Sequence, residues 1–220
     1  MDIPKFQELG AKAATIKEQL QTEEAVKTAI ILPFIQLLSY DVFDPSVVNP
    51  EFTADLGIKK GEKVDYAILE YGSPVLIIEC KHWRQSLTAH GSQLHRYFNC
   101  TPCKFAMLTN GIEYQIFSDF DAANIMDEMP FFSFNISAMN TEQYDFLEWF
   151  HSDFFEVGKA IEAARNMKYT ARFSNYLDNQ FTNPDENFMR FIIAQVYNGK
   201  LTDKAWRDLS PLVRQAILKF

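Results

Sequence analysis

The chain reads as an α/β protein: a mixed β-sheet flanked by helices, followed by a helical appendage. Three observations predict this. Segments up to about residue 118 follow the order helix, strand, hairpin, helix, strand, strand, which is the pattern of a sheet covered by helices. From Glu156 to Phe220 only helical periodicity appears. With 220 residues, 47% of them apolar and 15% aromatic, including 20 Phe, the chain can build one ordinary core and still carry an appendage.

Phe6, Leu9, Ala13, Ile16 and Leu20 recur at three- and four-residue steps, so Phe6–Leu20 is an amphipathic helix packed on the outside of the domain. Thr22 is an N-cap, and Glu23–Leu38 is helical and apolar on nearly every face except at Lys27 and Gln36. Such a helix is buried, and Pro33 in its interior should kink it. Asp44-Pro45 and Asn49-Pro50 punctuate a loop, and Val47 to Thr53 supplies a first strand. Gly57–Glu62 is a basic turn, either solvated or in contact with a phosphate backbone.

Val64–Leu69 and Val75–Cys80 are β-rich runs around the breakers Tyr71-Gly72-Ser73-Pro74, so they form a hairpin. With the turn centred on Gly72, residues whose numbers sum to 144 face each other: Asp65 lies opposite Glu79, and Lys63 opposite Lys81. Alternation puts Glu79 and Lys81 on one face and Cys80 on the other. Two carboxylates and a lysine therefore converge at one end of an apolar hairpin. Facing carboxylates repel unless one is protonated or a cation lies between them, and an open, oxygen-only site suits Mg²⁺ or Mn²⁺.

Gln85–Asn99 reads as a helix, on which Gln93 and Tyr97 lie one turn apart on one face. Lys104–Asn110 is a buried strand, Asn110-Gly111 a turn, and Glu113–Ser118 the returning strand. Met129–Phe134 is too apolar to be free and lines the sheet or a second domain. Thr141 caps a helix through Phe155. Asn183-Pro184-Asp185 opens a helix through Tyr197, Thr202 caps another, and Ser210-Pro211 starts a last short one. These closely spaced helices suit packing or a protein-partner surface better than a helix-turn-helix DNA reader.

Asp65, thirteen intervening residues and Glu79-Cys80-Lys81 together resemble the core of the PD-(D/E)XK nuclease superfamily. Gln93-Leu-His-Arg-Tyr97 matches the QxxxY motif of one of its branches. Residues 1–155 are similar to the N-terminal nuclease domain of type I restriction R subunits and their stand-alone prophage relatives. The resemblance implies a restriction-endonuclease-like domain over 1–155, with residues 156–220 as a helical C-terminal region. It also implies Mg²⁺- or Mn²⁺-dependent endonucleolytic hydrolysis of DNA in a restriction or phage-related setting. Metal ligands would be Asp65, Glu79 and the backbone carbonyl of Cys80. Lys81 would orient or activate the water, and Gln93 with Tyr97 would position the phosphate backbone. The resemblance selects Glu24 as an assisting carboxylate from the neighbouring helix, although helical periodicity leaves Glu23 open.

A formal charge of −8 argues against a protein that coats nucleic acid non-specifically, yet Lys59–Lys104 carries seven Lys/Arg against four Asp/Glu. A local basic surface is compatible with that balance. Ala29–Leu38 is too short and too interrupted to span a membrane, and the N-terminus lacks a signal-peptide shape, so a cytoplasmic protein is expected. Three cysteines fit a reducing compartment, and the lone Cys100-Thr-Pro-Cys103 reads as buried thiols rather than half a zinc site. The chain has no P-loop and therefore no translocase motor of its own. The rival reading is a catalytically silent nuclease-like fold kept for nucleic-acid or protein binding.

Overall fold

The computed structural model describes residues 1–53, 63–89 and 92–219. The basic turn expected at Gly57–Glu62 lies outside them. The described residues form two compact units, Met1–Asn166 and Met167–Phe220.

The first unit is built on a six-stranded mixed sheet in the order β1-β2-β3-β4-β5-β6. Its strands are β1 (Val48–Phe52), β2 (Val64–Glu70), β3 (Ser73–Cys80), β4 (Phe105–Thr109), β5 (Glu113–Phe117) and β6 (Phe132–Asn135). All neighbours are antiparallel except β3 and β4, which run parallel. A parallel step needs a crossover, and helix α4 (Ser92–Asn99) lies within it. The apolar run at Met129–Phe134 supplies the sixth, edge strand.

The β2–β3 hairpin keeps the expected register by a different route. Its two-residue loop is Tyr71-Gly72, both at positive φ (50° and 78°), as the tight primed hairpin turn demands. That turn pairs Glu70 with Ser73, one residue off the expected sum. A bulge between Ile68 and Leu69 then restores the Ile68–Leu76, Ala67–Ile77 and Tyr66–Ile78 pairs.

Helices cover both sheet faces. On one, Leu94, Tyr97 and Phe98 of α4 pack with Ala67, Ile77, Ala106, Leu108 and Phe117. On the other lie α1 (Ile3–Ile16), α2 (Glu23–Val26) and α3 (Leu32–Leu37). Here Phe34 meets Tyr114 at 4.4 Å between ring centroids, Tyr114 stacks on Phe134 at 4.8 Å, and Phe6 meets Phe34 edge-on. Phe132, Phe146, Phe150 and Phe105 continue this aromatic layer.

Helices α2 and α3 form one rod joined by a π turn, Lys27–Ile31, where Leu32 N–H bonds to Lys27 C=O. Pro33 offers no N–H to Ala29 C=O. Lys12 of α1 supplies one instead, at 3.2 Å. The disturbance expected at Pro33 therefore takes the form of a widened turn just before it.

Four further element boundaries differ from expectation. α1 ends at Ile16 in a short turn, Lys17–Gln19. Instead of a helix from Gln85, a single turn at Leu87–Ala89 precedes α4. α5 (Thr141–Leu147) is capped by Asn140, whose side chain and that of Gln143 form a reciprocal capping box that outcompetes Thr141. One tight turn, Glu148–Phe150, follows α5. Cys103 is a buried thiol as expected, but Cys100 is only half-buried; Cys80 is buried as well.

Helix α6 (Val157–Thr182) runs across the division between the two units. In the second unit α7 (Glu186–Val196) is capped by Asp185 and α8 (Asp203–Ile217) by Thr202. Pro211 does not start a separate helix; it lies inside α8. Met189 and Ile193 of α7 share a core with Val213 and Ile217 of α8, and this burial holds α8 together across the lost hydrogen bond. Among the described residues no helix is long and apolar enough to cross a membrane.

Gly111, in the β4–β5 turn, has φ +80°, and an added Cβ would stand 2.6 Å from Val26 Cγ1. Gly111→Ala therefore meets both left-handed strain and a clash with α2, and should cost about 2 kcal/mol or more. A urea midpoint unchanged from wild type would show that this turn does not set the seat of α2.

Candidate active site

Strand β3 ends in Glu79 and Cys80, and Lys81 follows directly, at the end of the parallel β3–β4 step. Pairing along that step runs through Glu79–Leu108 and Cys80–Thr109, after which Lys81 N–H bonds to Thr109 C=O at 2.8 Å. Because Ile77 faces α4, alternation places Glu79 on that side and Cys80 on the side of α2.

Asp65 sits just beyond the last β2–β3 pair. Its Oδ2 accepts the Cys80 N–H at 2.6 Å, so the side chain continues the ladder where the backbone leaves off. Its Oδ1 pairs with Lys27 Nζ, which arrives from the π turn after α2. Lys27 also donates to Glu24 Oε1 at 2.7 Å and lies 3.5 Å from Glu23 Oε1. Burial would pull the Lys27 ammonium down, but its hydrogen bonds to Asp65 and Glu24 outweigh that and hold its pKa well above the ordinary lysine value.

Glu79 is the most enclosed member of the cluster, with a side chain 4% exposed. Its Oε1 accepts from Lys81 Nζ at 2.5 Å, while its Oε2 is buried and has no hydrogen-bond partner among the described residues. Burial pushes the Glu79 carboxyl up to about 7, and the neighbouring Asp65 charge adds to that; Lys81 offsets it only in part. Burial depresses Lys81, but the hydrogen bond and charge of Glu79, together with Glu23 and Asp65, more than offset it and raise its pKa, so it stays charged. Burial drives the Cys80 thiol far above its usual range, so at this position only its backbone is chemically useful.

An orphaned, buried carboxylate oxygen is costly in a native structure and calls for a partner. A hard divalent cation fits. Mg²⁺ is held by as few as one or two carboxylates with water completing its shell, and each carboxylate oxygen carries two lone-pair directions. Asp65, though engaged through both oxygens, therefore retains acceptor capacity. Among the described residues no group of three or more His, Cys, Asp or Glu side chains is arranged as a metal site. Any cation here would rest on two carboxylates and backbone, which suits Mg²⁺ or Mn²⁺ and not zinc.

The two α2 carboxylates divide their roles. Glu24 points largely to water, its side chain 77% exposed, and grips Lys27. Glu23 is less exposed, and its charge is felt at Glu79, Cys80 and Lys81. Of the two, Glu23 is the one electrostatically coupled to the end of β3.

Gln93 and Tyr97 serve the site from behind. Gln93 Nε2 donates to Lys63 C=O at 2.5 Å, fixing α4 against the start of β2, two residues from Asp65. Tyr97 is fully buried in the core between α4 and the sheet. It does not present a surface to substrate.

Residues beyond those expected complete the frame. Lys27 is the cation that joins α2 to the hairpin, and its signal was a lone lysine one turn past Glu23-Glu24 in an otherwise apolar helix. His82 Nε2 and Trp83 Nε1 both reach Leu20 C=O, at 2.9 and 3.1 Å, tying the loop after Lys81 to the turn before α2. Asn110 Nδ2 bonds to the carbonyls of Trp83 and Gln85, while its Oδ1 accepts from Ile112 and Glu113. That buried amide holds the same loop to the β4–β5 turn.

Lys27→Met should cost about 3 kcal/mol, because it strands the Asp65 charge in a largely buried site, and a further Asp65→Asn should recover most of the loss. Urea unfolding of the two single variants and the double variant tests this. Additive losses would mean that the pair is not coupled.

Residues 22–130, just under half of the chain, match the family described as type I restriction enzyme R protein N terminus. The matched stretch runs from the cap of α2 to the residues before β6 and contains the whole cluster. No curated protein matches the chain, and no solved structure does.

Proposed function

From the relationship of residues 22–130 to the N terminus of type I restriction enzyme R proteins, we propose that this chain is a nuclease of the PD-(D/E)XK type. It would hydrolyse phosphodiester bonds in DNA with Mg²⁺ or Mn²⁺. The observation that carries this reading is the buried Glu79 Oε2, without a hydrogen-bond partner among the described residues, beside Lys81 on the strand end where Asp65 also converges.

Asp65, Glu79 and the Cys80 carbonyl would hold the cation. When bound, it would neutralise charge on the scissile phosphate and lower the pKa of water. The protein's own groups do the rest. Lys81, kept charged by Glu79, places its ammonium where an attacking water or a non-bridging phosphate oxygen can accept a hydrogen bond. Lys27 fixes Asp65 in place. Glu23, the better coupled of the two α2 carboxylates, would orient water on the α2 side, and Glu24 would hold Lys27.

Gln93 acts first as a positioning residue, because the amide that would meet a phosphate is already bonded to Lys63 C=O. Its second N–H leaves room for a substrate contact. Tyr97 acts through packing. A second reading, a silent binding module, is favoured by one fact: Lys27 and Lys81 already counter both carboxylates, so the cluster can persist without a cation.

The two readings separate on cleavage of supercoiled and linear DNA. Asp65→Ala and Glu79→Ala should each abolish Mg²⁺-supported hydrolysis. Lys81→Ala should lose about 10²-fold or more in single-turnover rate with metal binding largely kept, the size expected of one positioned catalytic group. Full activity in EDTA, or a Lys81→Ala enzyme at the wild-type rate, would remove the metal-dependent PD-(D/E)XK assignment, and a wild-type chain that cleaves neither DNA with Mg²⁺ or Mn²⁺ would leave the binding module.

A further inference from the structure

We infer that Lys17, Trp83 and Arg84 form a built contact for the phosphate backbone of DNA, flanking the Glu79–Lys81 site. This rests on the nuclease reading and names where its substrate runs. Both cations sit over one indole: Arg84 Cζ is 4.8 Å and Lys17 Nζ 5.7 Å from the Trp83 ring centroid. They come from different parts of the chain, the turn after α1 and the loop after β3. The indole is fixed in turn by the Trp83 Nε1 bond to Leu20 C=O, with His82 on the same carbonyl.

An aromatic face that holds two cations in place lowers the entropy lost when they meet an anion. The competing partner is weak. Arg84 pairs with Glu18 at 3.0 Å, but both side chains are more than half exposed, and such pairs contribute little and are screened by salt. A phosphate with two acceptor oxygens can take the guanidinium from it. The location follows from chain reach: Arg84 is three residues past Lys81, so at most about 10 Å of backbone separates them, a few nucleotides along one strand.

In a chain of net charge −8, non-specific attraction cannot bring DNA to the site, and local cations must do so. With Lys17 and Arg84 over its ring, Trp83 serves as their platform and not as a stacking surface for a base. The contact therefore reads phosphates, and binding through it is independent of sequence.

The test is DNA binding by the full chain in EDTA, by fluorescence anisotropy of two labelled duplexes of unrelated sequence across a salt series. Arg84→Ala should reduce the slope of log affinity against log salt by about 1, and Lys17→Ala with Arg84→Ala by about 2, equally for both duplexes. Arg84→Lys should keep the wild-type slope. Wild-type affinity and slope in the double variant would overturn the inference, as would failure of the wild-type chain to bind either duplex at low salt. Since EDTA removes divalent cations, the result does not depend on metal-supported hydrolysis. A changed slope in a chain that never cleaves would retire the nuclease reading and leave this contact standing.

Discussion

Asp65 is the point on which the first unit depends. One oxygen takes the Cys80 N–H and so welds β2 to β3 beyond their last backbone pair; the other takes Lys27 and so ties the sheet to the helix behind it. A single carboxylate thereby joins three elements at the end of the sheet where chemistry is expected. Buried ion pairs seldom add net stability, because desolvation consumes most of the attraction. What this one supplies is position: a slip of β3 by one residue would turn Glu79 and Lys81 away from α4 and put Cys80 in their place.

The same economy explains Glu79. Burial alone would favour a neutral side chain of similar shape, yet a carboxyl is buried there with one oxygen unpartnered among the described residues and its pKa pushed up to about 7. A group held half-protonated at neutral pH, next to a lysine that stays charged, is a local departure from what stability alone would select. Such departures concentrate where a ligand completes the set. The cluster is balanced without a cation by Lys27 and Lys81 and would be rebalanced by one, which relieves the orphaned oxygen and frees Lys81 to face substrate.

Much of this could be read from the residues in order, because the informative signals were short-range. Alternation in Val64–Leu69 and Val75–Cys80, with the breakers between them, was enough to bring Asp65 near Glu79 and to set Cys80 apart from Lys81. The pairing sum survived even though the turn is centred between Tyr71 and Gly72, since the bulge at Ile68 compensates. Long-range partnerships were not legible. Lys27 showed only as a polar break in an apolar helix, and nothing local says that its partner lies across the sheet. In the sequence Pro33 predicts a kink and Pro211 a helix start, whereas a lysine from α1 and the α7–α8 core absorb them. Tyr97 matched a motif by spacing, but spacing does not reveal which face of α4 is buried. Asn140 took the cap expected of Thr141 because Gln143 could answer it.

We propose that the end of β3 is a cation site poised by burial of Glu79, and Mn²⁺ titration calorimetry in buffers of different ionisation enthalpy tests this. The free Glu79 carboxyl carries a proton below about pH 7 and must lose it to hold a cation. Binding should therefore release most of one proton per Mn²⁺ at a pH a unit below that value and almost none well above it. The release should vanish in Glu79→Gln. A chain with no saturable Mn²⁺ site, or one whose proton release is the same with and without the Glu79 carboxyl, would contradict the account.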